Sequence, residues 1–247
     1  MKSHSSNGNR FAIIIPVYNN EEMVGTVTKQ AMETGYPVIV VDDGSTDRTP
    51  EILKEIAGIQ IVTHAENRGK GAALKSGFKE AEKVADWAIT IDADGQHNVE
   101  DAQSLVKAAL EKGRSLVIGK RDGMDGENVP WTSRFGKSFS NFWVLASGGP
   151  WLTDTQSGFR IYPVPEINHI KTVGNRYQYE VEILAKIRWM SIPIIEAPVG
   201  VNYLPPGKRV SHFKPFIDFM RNSWIFTKMI TQRILIPKPL RKKLFSI

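Results

Sequence analysis

Phe11-Ala12-Ile13-Ile14-Ile15-Pro16 is a short, unbroken apolar run, and Val38-Ile39-Val40-Val41-Asp42 is a second run of the same kind. Such runs are typical of strands that are buried on both faces of a parallel sheet. The sequence predicts further strands over residues 60–63, 87–91, 115–119 and 194–199, and helices over 47–57, 71–84, 99–112, 134–147 and 178–189. Strands and helices alternate up to residue 121, which predicts an α/β fold with a mostly parallel sheet covered by helices on both faces.

The predicted strands end in polar and acidic residues. Tyr18 follows the first strand, Asp42 and Asp43 the second, the segment Asp92-Ala93-Asp94-Gly95-Gln96 the fourth and Arg121 the fifth. Parallel strands carry their carboxyl ends to the same edge of a sheet, which is where ligands bind. We therefore expect these groups to converge on one site.

The segment Asp92-Ala93-Asp94-Gly95-Gln96 offers two carboxylates and an amide oxygen at alternate positions. Oxygen ligands suit hard cations such as Mg²⁺ or Mn²⁺, which often bridge to substrate phosphates. A turn that only caps the next helix would have a similar composition. The position beside the other strand ends favours a metal and diphosphate site, with His97 as a neighbour of the metal.

Two other segments are candidates for nucleotide contacts. A carboxylate of Asp42 or Asp43 can accept hydrogen bonds from ribose hydroxyls or a base edge, although a capping turn explains residues 44–47 equally well. Asn67-Arg68-Gly69-Lys70-Gly71 opens a predicted helix, and its glycines and cations can approach a phosphate at the helix N-terminus. The spacing is not that of a P-loop.

Four arginines lie outside helix interiors or at helix starts, and arginine binds phosphate through two parallel hydrogen bonds. As a set they are candidates for contacts with phosphorylated ligands, whereas each one alone could equally be a solvated surface charge. They are Arg121, Arg134, Arg160 and Arg209.

The net charge of +6 is unevenly divided along the 247 residues. Residues 205–247 contain ten of the 32 Lys and Arg residues and one acid, so this part carries +9 and the rest −3. Its apolar and basic residues alternate in a way that suits an amphipathic helix in a membrane interface, but a helix packed on the core with a basic outer face is an alternative. There is no cysteine, and the polar N-terminus lacks the apolar run of a signal peptide, so we expect a cytoplasmic location.

Five motifs in this order resemble family 2 glycosyltransferases of the GT-A fold, and more closely the branch of dolichol- or polyprenyl-phosphate mannosyl- and glucosyltransferases. The resemblance covers residues 11 to 214 and implies a GT-A domain over 11–210, followed by a basic, membrane-associating tail over 211–247. The motifs are Ile15-Pro16-Val17-Tyr18-Asn19, Val41-Asp42-Asp43-Gly44-Ser45-Thr46-Asp47, Asn67-Arg68-Gly69-Lys70-Gly71, Asp92-Ala93-Asp94-Gly95-Gln96 and Asp154-Thr155-Gln156-Ser157-Gly158-Phe159-Arg160.

The resemblance also implies roles for individual residues. Those expected to bind the donor are Pro16, Tyr18, Asn20, Asp42, Asp43, Lys70, Asp92, Ala93, Asp94, Arg121, Arg209 and Lys214. Those expected to hold the acceptor phosphate are Arg121, Arg134 and Arg209, and the metal ligands are Asp94 and Gln96. The residues with catalytic roles are Asp92, Asp94, Arg121 and Arg209. Asn20 departs from the family, which usually has an acid there, and the spacing from Arg209 to Lys214 is also altered.

The implied reaction is the inverting, metal-dependent transfer of mannose or glucose from GDP-mannose or UDP-glucose to a polyprenyl phosphate at the inner face of the membrane. A phosphate acceptor is already anionic and needs no general base. A saccharide hydroxyl acceptor, as in cell-envelope glycan synthesis, would need one, and Asp154 and Glu180 are the first candidates. Two further hypotheses are weaker. A nucleic-acid-binding protein would leave the clustered acids unexplained, and the intact Asp94 and Gln96 disfavour an inactive sugar-nucleotide-binding regulator.

Overall fold

The computed structural model describes residues 9–121, 131–201 and 215–246, without the side chains of 131–137 and 215. The described strands are β1 (Phe11–Val17), β2 (Val38–Asp42), β3 (Gln60–Thr63), β4 (Trp87–Thr90), β5 (Leu116–Arg121), β6 (Arg160–Pro163) and β7 (Ile194–Val199). The described α-helices are α1 (Val24–Glu33), α2 (Thr49–Lys54), α3 (Lys70–Ala81), α4 (Ala102–Lys112), α5 (Trp131–Ala146), α6 (Gln178–Trp189), α7 (Pro215–Leu235) and α8 (Lys238–Phe245). Short 3-10 helices lie at Val99–Asp101 and Glu166–His169.

The seven described strands form one sheet in the order β3-β2-β1-β4-β6-β5-β7. The pairs β1–β2, β1–β4, β2–β3 and β5–β7 are parallel, whereas β6 is antiparallel to both β4 and β5. The predicted α/β fold with a mostly parallel sheet is confirmed. The strand β6 was not predicted, because four residues that begin with an arginine give too short an apolar run.

Side chains of β1 point alternately to two layers of core, as the period of a strand requires. Ile14 packs on one face of the sheet with Phe78 of α3 and residues of α5, α6 and α7. Ile13 packs on the other face with Leu105 of α4 and residues of α1. Both faces of the sheet are therefore covered, which explains why the strands read as continuous apolar runs.

Several predicted element boundaries shift in ways that matter for the site. The helix that the sequence predicts from residue 71 begins at Lys70, so this lysine lies in the first turn of α3. The strand predicted to end at residue 119 continues to Arg121, which pairs with Val199 of β7. Both cations are thereby fixed on regular elements rather than on loops.

The basic tail docks on the α5 and α6 side of the protein. Ile225, Phe226 and Met229 of α7 are buried in the core. Arg233 donates hydrogen bonds from Nη1 to the last carbonyls of α5, at 3.2 Å and 2.6 Å, and Arg241 of α8 lies over the ring of Trp189. The boundary that we predicted at residue 210 lies outside the described residues. Among the helices that the structure describes, none combines the length and the apolar character that a bilayer crossing needs.

Candidate functional site

The carboxyl ends of β1, β2, β4 and β5 lie along one edge of the sheet, and the antiparallel β6 begins at the same edge. Thr90 at the end of β4 is paired with Arg160 at the start of β6. The segment 154–159 that leads into β6 is therefore brought beside the segment 92–96 that follows β4. The predicted convergence of strand ends is extended by a motif that comes more than 50 residues later in the chain.

Lys70 links three segments at the centre of this edge. Its Nζ lies 2.7 Å from Asp92 Oδ1, 3.0 Å from Asp92 Oδ2 and 3.0 Å from Glu180 Oε1. The side chains of Lys70, Asp92 and Glu180 are 15%, 28% and 10% exposed, so water screens this cluster only weakly. The three hydrogens of the ammonium group thus have three carboxylate oxygens as acceptors.

The contacts between Lys70, Asp92 and Glu180 keep Lys70 and Asp92 charged. Burial alone would lower the pKa of Lys70, but the charges and hydrogen bonds of Asp92 and Glu180 outweigh it and raise the pKa well above its usual value. Burial alone would raise the pKa of Asp92, but Lys70 outweighs it and the net pKa of Asp92 is lowered. Lys70 is therefore a fixed cation and Asp92 a fixed anion over the physiological range.

Gly158 makes room for the carboxylate of Asp92. A Cβ atom at residue 158 would overlap Asp92 Oδ2, so a side chain at this position and the present position of Asp92 exclude each other. The carbonyl of Gly158 accepts a hydrogen bond of 2.8 Å from Thr90 Oγ1, which holds the glycine against the end of β4. This contact gives a physical reason for the glycine in the 154–160 motif.

Arg121 and Asp154 form a second ion pair, which is almost completely buried. Arg121 Nε and Nη2 donate to Asp154 Oδ2 and Oδ1 at 2.7 Å and 2.9 Å, and the Asp154 side chain is 0% exposed. Burial would raise the pKa of Asp154, but the hydrogen bonds and charge of Arg121 lower it. Glu196 of β7 accepts hydrogen bonds from the amides of residues 153 and 154, and Asn141 of α5 accepts one from the amide of residue 155.

Three buried polar atoms in or beside the predicted metal turn lack a hydrogen-bond partner among the described residues. They are Asn20 Oδ1, Gln96 Nε2 and His97 Nδ1. Burial lowers the pKa of His97, so this imidazole is neutral at physiological pH. Such atoms need a partner, which can be water, an ion or a ligand, and others lie away from the turn, such as Trp87 Nε1 and Ser115 Oγ.

The residues of this turn fit a hard divalent cation. Asp94 supplies a carboxylate, which accepts the amide of residue 96 at 3.1 Å, and rotation of the buried Gln96 amide by 180° presents its oxygen where Nε2 lies. Among the described residues there is no group of three or more His, Cys, Asp or Glu side chains arranged as a metal site. Two protein oxygens completed by water and phosphate oxygens are the usual environment of Mg²⁺ at a nucleotide.

The acids that follow β2 hold the loops of this edge in place. Asp42 accepts the amide of Ser45 at 2.9 Å, and Asp43 accepts amides from the loop before α3. Asn20 donates from Nδ2 to the carbonyl of Ala93 at 2.9 Å, so it braces the metal turn from the β1 side. Among the other predicted donor residues, Pro16 is buried in β1 and Tyr18 is half-buried beyond it.

Of the four arginines predicted as candidates for phosphate contacts, the structure describes the side chains of Arg121 and Arg160, and both are largely buried. Arg160 is wrong as a candidate for a phosphate contact, because it is 0% exposed and its guanidinium donates to the carbonyls of residues 155, 157 and 180 and to Tyr162 Oη. Arg134 lies in α5, but its side chain is not described. Arg209 and Lys214 lie outside the described residues.

Two groups near the site carried little signal in the sequence. Glu196 of β7 lies opposite Ile118 of β5 and accepts hydrogen bonds from the amides of residues 153 and 154. The sequence of β7 predicts a strand but gives no sign of this contact. Tyr177 lies just before α6, where burial raises its pKa and the charges of Asp92, Glu180 and Asp218 raise it further. The charge of Asp218 acts on Tyr177, so the first turn of α7 lies near the start of α6.

Comparisons with known proteins identify the family of the chain. The model of Glycosyl transferase family 2 matches residues 12–165. The UDP-N-acetylglucosamine–dolichyl-phosphate N-acetylglucosaminyltransferase of Methanococcus voltae is 30% identical over 213 residues, which cover 77% of this chain and 85% of the relative. The human dolichyl-phosphate beta-glucosyltransferase is 24% identical and is matched over 81% of this chain and 70% of its own.

A solved structure has the same architecture. Mannosyl-3-phosphoglycerate synthase from Rubrobacter xylanophilus superposes with a TM-score of 0.68 at 15% identity, over 91% of this chain and 74% of that one. At this identity the likeness concerns the fold alone. It confirms the predicted GT-A architecture, in which the polar residues of the strand ends occupy one edge of the sheet.

Proposed function

The chain belongs to glycosyl transferase family 2, and we propose that it transfers a hexose or an N-acetylhexosamine from a nucleotide sugar to dolichyl phosphate or a similar polyprenyl phosphate, with inversion. Both relatives named above are transferases whose names include dolichyl phosphate. They differ in the sugar, since one is an N-acetylglucosaminyltransferase and the other a glucosyltransferase. The sugar, which we expected to be mannose or glucose, is therefore open within this class.

The main support for a phosphate acceptor is that both candidate bases, Asp154 and Glu180, are already held in ion pairs. Asp154 is buried in its pair with Arg121, with a lowered pKa, and Glu180 is bound to Lys70. A saccharide hydroxyl would need a base that is able to accept a proton. A phosphate monoester oxygen is already anionic and needs only cations that align it and screen its charge, which favours a phosphate acceptor.

On the donor side, the proposal assigns separate tasks to the residues of the acidic turn. Asp94 and Gln96 would hold Mg²⁺ or Mn²⁺, which would neutralise the charge that builds up on the departing nucleoside diphosphate. Asp92 is kept ionised and oriented by Lys70, so it would position the donor rather than bind the metal. Arg121 is held by Asp154 on the β5 side of the site, where it would attract a phosphate.

Transfer assays with matched donors and acceptors test this proposal. The full chain would be incubated with Mn²⁺, a C15 to C20 prenyl phosphate and UDP-glucose, UDP-N-acetylglucosamine or GDP-mannose. We expect one donor to give a glycosyl prenyl phosphate, and Asp94→Ala to abolish this product while the melting temperature stays near that of the wild type. Transfer to free saccharides but not to prenyl phosphate would replace the proposed acceptor, and wild-type turnover of Asp94→Ala would refute the metal assignment.

We also propose that α7 brings the site to a membrane surface. Phe216, Phe219, Met220 and Trp224 in its first half are 78%, 43%, 54% and 59% exposed, while residues of its second half are buried in the core. An exposed apolar face on a basic helix is typical of interfacial membrane binding. The helix α7 packs against α6, which carries Glu180 of the site. A polyprenyl phosphate would reach the site from such a surface with its chain still in lipid.

Vesicle sedimentation tests the membrane contact. We expect the wild type to bind vesicles that contain phosphatidylglycerol more strongly than vesicles of phosphatidylcholine alone, because the tail is basic. Trp224→Ser should weaken binding about tenfold or more, since it removes a large apolar side chain from the contact. Leu110→Ser on α4 is the matched control, since Leu110 is 47% exposed on another helix, and it should bind as the wild type does.

A further inference from the structure

His64 links three elements behind the donor side of the site. It follows β3, is 7% exposed, and its Nδ1 lies 2.6 Å from Asp43 Oδ1 at the end of β2. Its Nε2 lies 2.9 Å from Oγ of Ser76 on α3. Since a carboxylate can only accept, Nδ1 donates its proton to Asp43, and Nε2 is the ring atom that contacts the Ser76 hydroxyl.

Asp43 in turn holds the loop before α3 through hydrogen bonds to its backbone amides. Its Oδ1 also accepts the amide of Arg68 at 3.0 Å, and its Oδ2 accepts the amide of Gly69 at 2.6 Å. These are the residues directly before Lys70, whose ammonium group is centred on Asp92 and Glu180. The Asp43 carboxylate is 3% exposed, so it is almost entirely occupied by contacts inside the protein.

The other side of the loop is closed by backbone. Gly69 has a φ of 100°, which favours glycine, and a Cβ there would lie 2.5 Å from the carbonyl oxygen of Asn175. Ala72 donates its amide to the same carbonyl at 2.9 Å. With one side fixed by the 175 segment and the other by Asp43, the loop has little freedom as long as the Asp43 carboxylate keeps its orientation.

We propose that His64 is a positioning residue of the donor site: through Asp43 it fixes the 67–69 loop, and so places Lys70, the first residue of α3, against Asp92 for binding of a nucleoside diphosphate. The part of this inference that concerns the diphosphate rests on the proposed function. It also changes the expected role of Asp43. We predicted a contact with the nucleotide, whereas its hydrogen bonds identify it first as the anchor of the loop.

A histidine that only fills space in the core would be equally buried. The variants must therefore remove the contact with Asp43 and the contact with Ser76 one at a time. Asparagine and glutamine side chains are similar in polarity but place their amide nitrogen at different distances from the backbone. In His64→Asn the nitrogen lies near the position of Nδ1 and keeps the bond to Asp43. In His64→Gln it lies near the position of Nε2 and keeps only the bond to Ser76.

Hydrogen exchange on the full chain, without any ligand, is the first measurement. The peptide that contains residues 65–72 reports on the amides of Arg68 and Gly69. We expect its exchange to be about tenfold faster or more in His64→Gln than in the wild type, and to stay near the wild type in His64→Asn. Equal exchange in the two variants, whether both are fast or both slow, would overturn the positioning role.

Calorimetric titration with UDP and with GDP, each with Mn²⁺, is the second measurement. For the nucleotide that binds the wild type, His64→Gln should raise Kd about tenfold and His64→Asn less than about threefold. A rise in Kd that is equal for the two variants would overturn the link to the donor. If neither nucleotide binds the wild type, the proposed function fails. The hydrogen-exchange data alone then decide whether His64 fixes the loop through Asp43. His169→Ala, at an exposed histidine remote from the loop, is the control for loss of a histidine.

Discussion

Replacing Lys70 with methionine would leave two carboxylates facing each other without a cation. The Asp92 and Glu180 oxygens that bind Nζ lie 2.7 Å and 3.0 Å from it, so they are no more than about 6 Å apart. At an effective dielectric constant of about 20, two like charges at this separation repel by about 3 kcal/mol. Methionine is close to lysine in length, so the packing of the side chain changes little.

This repulsion gives the variant a pH dependence that the wild type lacks. In the wild type the lowered pKa of Asp92 gives stability that is present above about 3.8, and the raised pKa of Lys70 gives stability that is present below about 10.5, so neither varies between pH 5 and 9. In Lys70→Met one carboxylate retains its proton to higher pH in the folded protein than in the unfolded one. Stability must then fall as the pH rises from 4.5 to 7.

Urea unfolding at pH 4.5 and pH 7 measures this effect. We expect Lys70→Met to lose about 3 kcal/mol more at pH 7 than at pH 4.5, whereas Lys70→Arg, which keeps the charge, should show no such difference. Adding Glu180→Gln to Lys70→Met should recover most of the loss at pH 7, because only one charge remains. An equal loss at both pH values, or no recovery in the double variant, would show that repulsion between Asp92 and Glu180 is not the cause.

Two further variants test the other contacts of the site. Gly158→Ala should lower kcat/KM about 100-fold with a stability loss of about 1–3 kcal/mol, because the new methyl group displaces the Asp92 carboxylate; a wild-type kcat/KM would contradict the close contact. Asp154→Asn should cost about 3–5 kcal/mol at pH 7, since it leaves the Arg121 guanidinium without its charge partner. The lowered pKa of Asp154 gives stability that is complete above about pH 3.8 and is lost as the pH falls below it, through the lower pKa of the folded state. The difference in urea midpoint should therefore begin to shrink towards pH 3.5, and a difference that stays constant as the pH falls would exclude the ion pair as its cause.

The parallel half of the fold was predictable because its signals are local. Apolar runs such as residues 38–42 and the acids that follow them identify strands and their functional edge without knowledge of tertiary contacts. The arginine at the start of β6 gave no such signal. Whether Arg160 binds a phosphate or supports a loop depends on the carbonyls of residues 155, 157 and 180, which only the antiparallel insertion of β6 brings together.

The same limit applies to the candidate site. The sequence predicted Asp92, Asp94 and Gln96 as site residues from their spacing and their place beside the other strand ends. It could not reveal that Lys70 pairs with Asp92 or that Arg121 pairs with Asp154. These pairs join residues 22 and 33 positions apart, and they form because separate strands end at the same edge. The spacing of acidic and basic residues in the sequence therefore indicates the type of site. The ion pairs in the folded protein decide which of these side chains are oriented by a partner.

The charges of the site link the metal to the donor. Among the described residues, the cluster of Lys70 with Asp92 and Glu180 carries one net negative charge, and the buried pair of Arg121 with Asp154 is neutral. His97 adds no charge at physiological pH, because burial lowers its pKa. A nucleoside diphosphate brings further negative charge, so under the proposed function a divalent cation would reduce its repulsion from this cluster. Because such coupling is reciprocal, the nucleotide must raise the affinity for the cation by the factor by which the cation raises the affinity for the nucleotide, which two calorimetric titrations can compare directly.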